Sequence, residues 1–113
     1  MSSRPGLREP TYFVLASLLD GPLHGYAILR RADELSQGTV RLSTGTLYGA
    51  LERLTAAGLV DPGHEEVVEG RVRRAYTLTD EGVALLATES ARLAAAARVV
   101  ATRIATKRSP RLA

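Results

Sequence analysis

Cysteine is absent from the 113 residues, which excludes a disulfide framework, a thiolate metal site and a thiol redox switch. Histidine is almost as scarce: His24 and His64 are the two in the chain. With no cysteine to join them, no metal site is expected, and His24 reads as a structural residue at a helix start. No apolar run approaches the roughly 20 residues of a membrane span, and the N-terminus lacks a secretory apolar stretch. Neither a membrane partner nor export is therefore expected, and cytoplasmic residence follows by default. No Ser-His-Asp constellation and no glycine-rich phosphate loop occurs, so no catalytic residue and no cofactor are expected, and the chain reads as a non-enzyme. Acids are outnumbered, 12 against 15 lysines and arginines, for a net charge of +3. That balance suits a polyanionic partner, though ordinary basic soluble proteins share it.

The length allows one domain with a small core. Such a chain commonly recovers stability by burying apolar surface against a second copy of itself, so a homodimer is expected.

Four pieces are legible. Residues 1–8 carry Ser, Arg, Pro and Gly without periodicity and read as a flexible N-terminal arm. Residues 9–79 hold three helices and a hairpin. The first helix, Thr11 to Leu19, is apolar nearly all round, which suits an element covered on two sides, and Asp20-Gly21-Pro22 ends it. In the second, Tyr26, Ile28, Leu29, Ala32 and Leu35 share one face, and Ser36-Gln37-Gly38 closes it. A short extended piece from Thr39 to Leu42 leads to Ser43, which caps a third helix that buries Leu47, Ala50, Leu51 and Leu54. Leu59-Val60 and Val72 to Leu78 read as hairpin strands, with the loop between Asp61 and Gly70 and with Pro62 and Gly63 leaving the first strand short or irregular. Thr79-Asp80-Glu81 caps a final helix over residues 80–107, and 108–113 form a basic tail.

Away from its buried leucines, the third helix presents Gly45, Gly49 and Glu52, flanked by Thr46, Tyr48 and Arg53. Two helical glycines cost about 1 kcal/mol each relative to alanine. Close approach to another molecule would justify that cost, because a helix entering a major groove needs small side chains in front. Ser43, Thr44 and Thr46 add hydroxyls beside the free N–H groups of the first turn, which attract anions. A capped structural helix would show the same residues, and Tyr48 would equally pack sideways on a neighbouring helix.

Arg71, Arg73 and Arg74 crowd beside Gly70, where a tight turn is needed. Alternation sends Arg71 and Arg73 to one side and Arg74 to the other, while Tyr76 and Leu78 anchor the strand. A charge run is commonly a solvated loop; beside a candidate reading helix it becomes a phosphate clamp. Glu65, Glu66 and Glu69 would repel DNA unless they point away or pair with the arginines. The fold class is thus mainly α with a small β-hairpin: a winged helix-turn-helix followed by a long C-terminal dimerisation helix.

On the last helix Val83, Leu86, Ser90, Leu93, Ala97, Val100 and Ile104 alternate steps of three and four, tracing one seam of period 3.5. Folding back on its own domain is the alternative, but about 25 helical residues span roughly 37 Å, more than so small a core is wide. A symmetric dimer would offer two reading helices to a palindromic double-stranded operator with half-sites about 10 bp apart.

Three motifs together resemble the PadR family of transcriptional regulators in its short form: Asp20-Gly21-Pro22-Leu23-His24-Gly25-Tyr26, Leu42-Ser43-Thr44-Gly45-Thr46-Leu47-Tyr48, and Gly70-Arg71-Val72-Arg73-Arg74-Ala75-Tyr76-Thr77-Leu78-Thr79 with Gly82. The resemblance covers roughly Thr11 to Gly82. It implies a dimeric repressor of a neighbouring efflux or stress gene, released by a small ligand. It also implies groove and backbone contacts by Ser43, Thr44, Thr46, Tyr48, Arg71, Arg73 and Arg74, to which the wheel adds Arg53. Gly49 departs from relatives that carry a larger or basic residue there. Some relatives hold flat aromatics between subunits with aromatic side chains of the last helix, which has none here. Tyr12, Leu15, Leu93 and Ala97 are the positions left for a small hydrophobic effector. Two other readings remain open: a winged-helix module that docks a protein without DNA, and a drug-sequestering dimer.

Overall fold

Pro10 sits in the first turn of helix α1 (Glu9–Ser17), where a missing N–H leaves no bond unmade. The helix therefore starts and stops two residues earlier than expected, and Leu18 and Leu19 close it with N–H bonds of 3.1 Å to the Leu15 and Ala16 carbonyls. In the computed structural model, which describes residues 7–109, the order continues as β1 (Leu23–His24), α2 (Gly25–Leu35), α3 (Thr44–Ala56), β2 (Val60–Val68), β3 (Arg71–Leu78) and α4 (Asp80–Arg108). The sheet is antiparallel in the order β1-β3-β2. Strand β1 has no pattern of its own: two residues are too few, and it exists because Leu23 and His24 pair with Tyr76 and Ala75.

The hairpin is longer than expected. Val68 pairs with Arg71, so the turn is Glu69-Gly70 alone. Both have positive φ, 52° and 76°, as a two-residue turn matched to strand twist requires. Pro62 and Gly63 do not shorten β2; the ladder slips between Pro62 and Glu65 instead. The strand lies at the sheet edge, where proline's missing donor faces solvent. A side chain at Gly63 would meet the Ala75 carbonyl oxygen at 2.8 Å.

Val14, Leu15 and Leu18 from α1, Ile28 from α2, Leu47, Leu51 and Leu54 from α3, Val60, Tyr76 and Leu86 form the core. Ser36 ties the α2–α3 connection, accepting from the Val40 N–H at 2.8 Å and donating to the Asp33 carbonyl at 3.1 Å. Leu7 also packs on this core, and its N–H donates to the Glu89 carboxylate at 3.2 Å. The expected flexible arm therefore does not include Leu7. Residues 1–6 of that arm and 110–113 of the expected tail lie outside the described residues. Beyond Ser90 helix α4 leaves the domain, and Ala91 to Ser109 are all exposed, extending the molecule to 71 Å along its long axis.

Candidate nucleic-acid interface

Ser43 caps α3, accepting from the Thr46 N–H at 3.1 Å and donating to the Thr46 hydroxyl at 2.9 Å. Ser43, Thr44, Gly45 and Thr46 are all exposed, so the first turn is open to solvent. Tyr48 leans back on the start of α2: a side chain built on Gly25 would meet its Cζ at 2.8 Å. Tyr48 thus packs sideways, as one of its two sequence readings expected, and stays 46% exposed. The space before Gly49 is not empty. An Arg53 guanidinium nitrogen lies 3.6 Å from where its Cβ would be, so Arg53 folds back over the glycine.

On the wing, Arg74 bonds Glu65 at 3.0 Å, the pairing expected of one of the three acids. Among the described residues Arg71 and Arg73 have no carboxylate within ion-pair distance. Strand alternation puts the arginines on opposite sides, yet all three line one cleft, because a two-stranded ribbon twists strongly and the side chains are long. The cleft measures about 350 Å³, with Thr44 and Tyr48 on a second wall. His24 of β1 and Gly25, Tyr26 and Leu29 of α2 complete the lining, and sequence reasoning missed them. A glycine opening a helix beside a tyrosine was the available signal. Arg30 stacks over the Tyr26 ring at 6.0 Å. Below the cleft, burial pushes the Tyr76 phenol above its ordinary value and the nearby Tyr48 adds to this, against the pull of Arg74.

The expected seam divides. Leu86 is 4% exposed within the chain's own core, so it is not available to a partner. Ser90 is exposed but bonds the Tyr12 hydroxyl at 2.7 Å. Val83, Leu93, Ala97, Val100 and Ile104 remain exposed. Leu15, an expected effector residue, is fully buried and faces no opening; the apolar character of α1 turns it inward. Tyr12, Leu93 and Ala97 stay reachable.

The +3 balance is carried by the C-terminal residues. All twelve acids and nine of the fifteen lysines and arginines lie in residues 1–89, net −3, whereas residues 90–113 hold six cations and no acid. Attraction for a polyanion at the cleft is therefore local, from Arg71, Arg73 and Arg74 rather than from the domain as a whole.

A sheet-flanked helix pair with an arginine wing occurs in many folds, and comparison with known families resolves which. The model of the transcriptional regulator PadR-like family matches residues 14–88. The chain belongs to that family. Transcriptional regulator Rv3488 of Mycobacterium tuberculosis is 39% identical over 87 residues, covering 77% of this chain and 78% of that protein. A 37.1 kDa protein of transposon TN4556 of Streptomyces fradiae is 48% identical over 77 residues, covering 68% of this chain; the chain spans only 21% of that protein's length. Among solved structures, Bacillus subtilis PadR in complex with operator DNA superposes with a TM-score of 0.63 at 27% identity, over 72% of this chain and 47% of the other. The PadR-like match ends at Thr88, so the exposed length of α4 lies beyond it.

Proposed function

We propose that this PadR-like chain is a homodimeric DNA-binding repressor that acts in the cytoplasm on a nearby efflux or stress gene and is released by a small ligand. One observation carries the DNA reading: Thr44 in the open first turn of α3, Tyr48 one turn on and the arginines of the wing line a single cleft. In this reading Ser43, Thr44 and Thr46 approach base edges and phosphates, Tyr48 and Arg53 flank them, and Arg71, Arg73 and Arg74 follow the sugar-phosphate backbone. The related PadR complex with operator DNA supports it. The exposed stripe Leu93, Ala97, Val100 and Ile104 supports the dimer, which would set the spacing of two reading heads on a palindromic operator. An effector would sit between protomers near Tyr12, Leu93 and Ala97.

Footprinting on the DNA upstream of its own and adjacent genes tests the reading. A protected site whose affinity falls steeply with salt is expected. Changing Arg71, Arg73 and Arg74 together to Ala should weaken binding and flatten the salt dependence; unchanged affinity and slope would sink the wing's role. The net −3 of residues 1–89 favours a second reading, a module that docks a basic protein partner, and it predicts no footprint.

A further inference from the structure

We infer that Arg41, in the connection before α3, is a further contact to a DNA phosphate and that Asp33 occupies it when DNA is absent, a role that rests on the DNA reading and extends it. The backbone of that connection is tied down. The Ser36 hydroxyl accepts from the Val40 N–H at 2.8 Å, and the Thr39 hydroxyl donates to the Ser36 carbonyl at 2.9 Å. Val40 is turned into the core, 3% exposed, whereas the neighbouring Arg41 side chain is 77% accessible. Arg41 stands two positions before the cap Ser43, at most about 7 Å of chain. Its guanidinium therefore reaches the phosphates that border a groove entered by the first turn of α3.

The ion pair that Arg41 makes is loose. Its Nε lies 3.7 Å from the Asp33 Oδ2, beyond hydrogen-bond length, and a pair so exposed contributes little to stability. Arg31, by contrast, is held by two acids, Asp20 at 3.3 Å and Glu34 at 3.5 Å. Gln37 and Gly38 take positive φ, 55° and 83°, and the Arg41 guanidinium lies over that turn, 3.5 Å from where a Gly38 β-carbon would be. Asp33 is placed at a disadvantage. It stands with Glu34 in the last turn of α2, which has no base and where the helix dipole disfavours negative charge. Residues 1–89 already carry net −3, so a further carboxylate two residues from the connection also repels DNA. Both disadvantages have a use if Asp33 holds Arg41 until a phosphate, taking charge-assisted bonds from the guanidinium fork, displaces it. Binding to DNA of any sequence is thereby weakened, and base contacts carry a larger share of operator affinity.

The test follows binding of the full chain to the footprinted duplex and to a scrambled duplex by fluorescence anisotropy, across about 0.05 to 0.3 M salt. Arg41→Gln should weaken both by roughly five- to tenfold per protomer engaged near about 0.1 M salt, and lower the salt slope by about one, because a phosphate contact is blind to sequence. Arg41→Lys keeps the charge and should recover most of the loss. Asp33→Asn should strengthen binding to both duplexes, and most of that gain should vanish in the Arg41→Gln background. Urea midpoints of Arg41→Gln and the wild type should coincide, since the pair is exposed. Unchanged affinity and slope in Arg41→Gln would overturn the inference. So would an undiminished Asp33→Asn gain without Arg41, which would assign the effect of Asp33 to bulk charge. A loss that lysine does not rescue and that follows a lowered urea midpoint would make Arg41 a clamp on its own loop and overturn it too. A wild-type chain with no footprint sinks the DNA reading and this contact with it; a footprint indifferent to Arg41 sinks this contact alone.

Discussion

Two glycines around Tyr48 and Arg53 do different things. Gly25 makes room for Tyr48, whose ring sits where a β-carbon would be. Gly25→Ala is expected to destabilise the fold by about 1–3 kcal/mol, as overpacking of a filled contact does, and to lower DNA affinity by shifting α3. Trimming the obstacle with Tyr48→Ser should recover most of the stability, and urea denaturation of the two single variants and the double would show it; additive losses would mean the two residues do not meet. Gly49 has ordinary clearance, since the nearest atom to an added β-carbon is the mobile Arg53 guanidinium. Gly49→Ala should therefore raise stability by about 1 kcal/mol, the helix-propensity difference. If glycine is kept there for close approach to DNA, the same variant binds its operator more weakly; equal affinity would remove that reason.

Among the elements, α4 is divided between two duties at Ser90. Its first turns carry Leu86 into the core and place Glu89, 5% exposed, against Arg92 and the Leu7 N–H. The hydrogen bond from Arg92 holds the Glu89 carboxyl below the usual carboxylate range, outweighing burial, with the Arg92 charge and the Leu7 N–H adding to it. A depressed folded value means that the ionised carboxylate stabilises above the unfolded carboxyl pKa, and that this contribution is lost as pH falls through the folded one. Glu89→Gln should thus lower the urea midpoint at neutral pH, with a deficit that begins to shrink as pH falls below the ordinary carboxyl value of about 4 and closes only below the depressed folded value. A pH-independent deficit would point to packing instead. The wing is the second divided element: Tyr76 anchors it in the core while Arg71 to Arg74 project beside the cleft.

For the whole molecule, charge polarity along α4 bears on how two copies meet. Asp80, Glu81 and Glu89 occupy its first ten residues; Arg92, Arg98, Arg103, Lys107 and Arg108 follow with no acid among them. Antiparallel pairing of α4 with a second copy brings the cationic end of each toward the exposed Asp80 and Glu81 of the other, Glu89 being already held by Arg92 and the Leu7 N–H, and parallel pairing sets like on like. The proposed dimer should therefore be antiparallel, and its dissociation constant should rise between about 0.05 and 0.5 M salt as screening grows; sedimentation equilibrium would measure it. A dimer that tightens with salt would indicate like-charged helices side by side. Val100→Asp with Ile104→Asp should shift the equilibrium to monomer, because both side chains are exposed in one chain and an apolar seam would bury them.

What the linear sequence determined by itself is whatever local chemistry decides. Periodicity placed α2 and α3, Ser43 marked the cap, Gly70 marked the turn, and the ordered motifs around Tyr26, Tyr48 and Tyr76 identified the family. Tertiary packing decided the rest. Strand β1 exists only through its partner β3. The seam's period continues unbroken through Leu86, but only packing against α1 and β3 shows that this turn faces inward while Leu93 to Ile104 face out. The cleft joins His24 to Leu29 with residues some twenty and fifty positions later, a juxtaposition no window along the chain contains, because it arises where three elements meet in space.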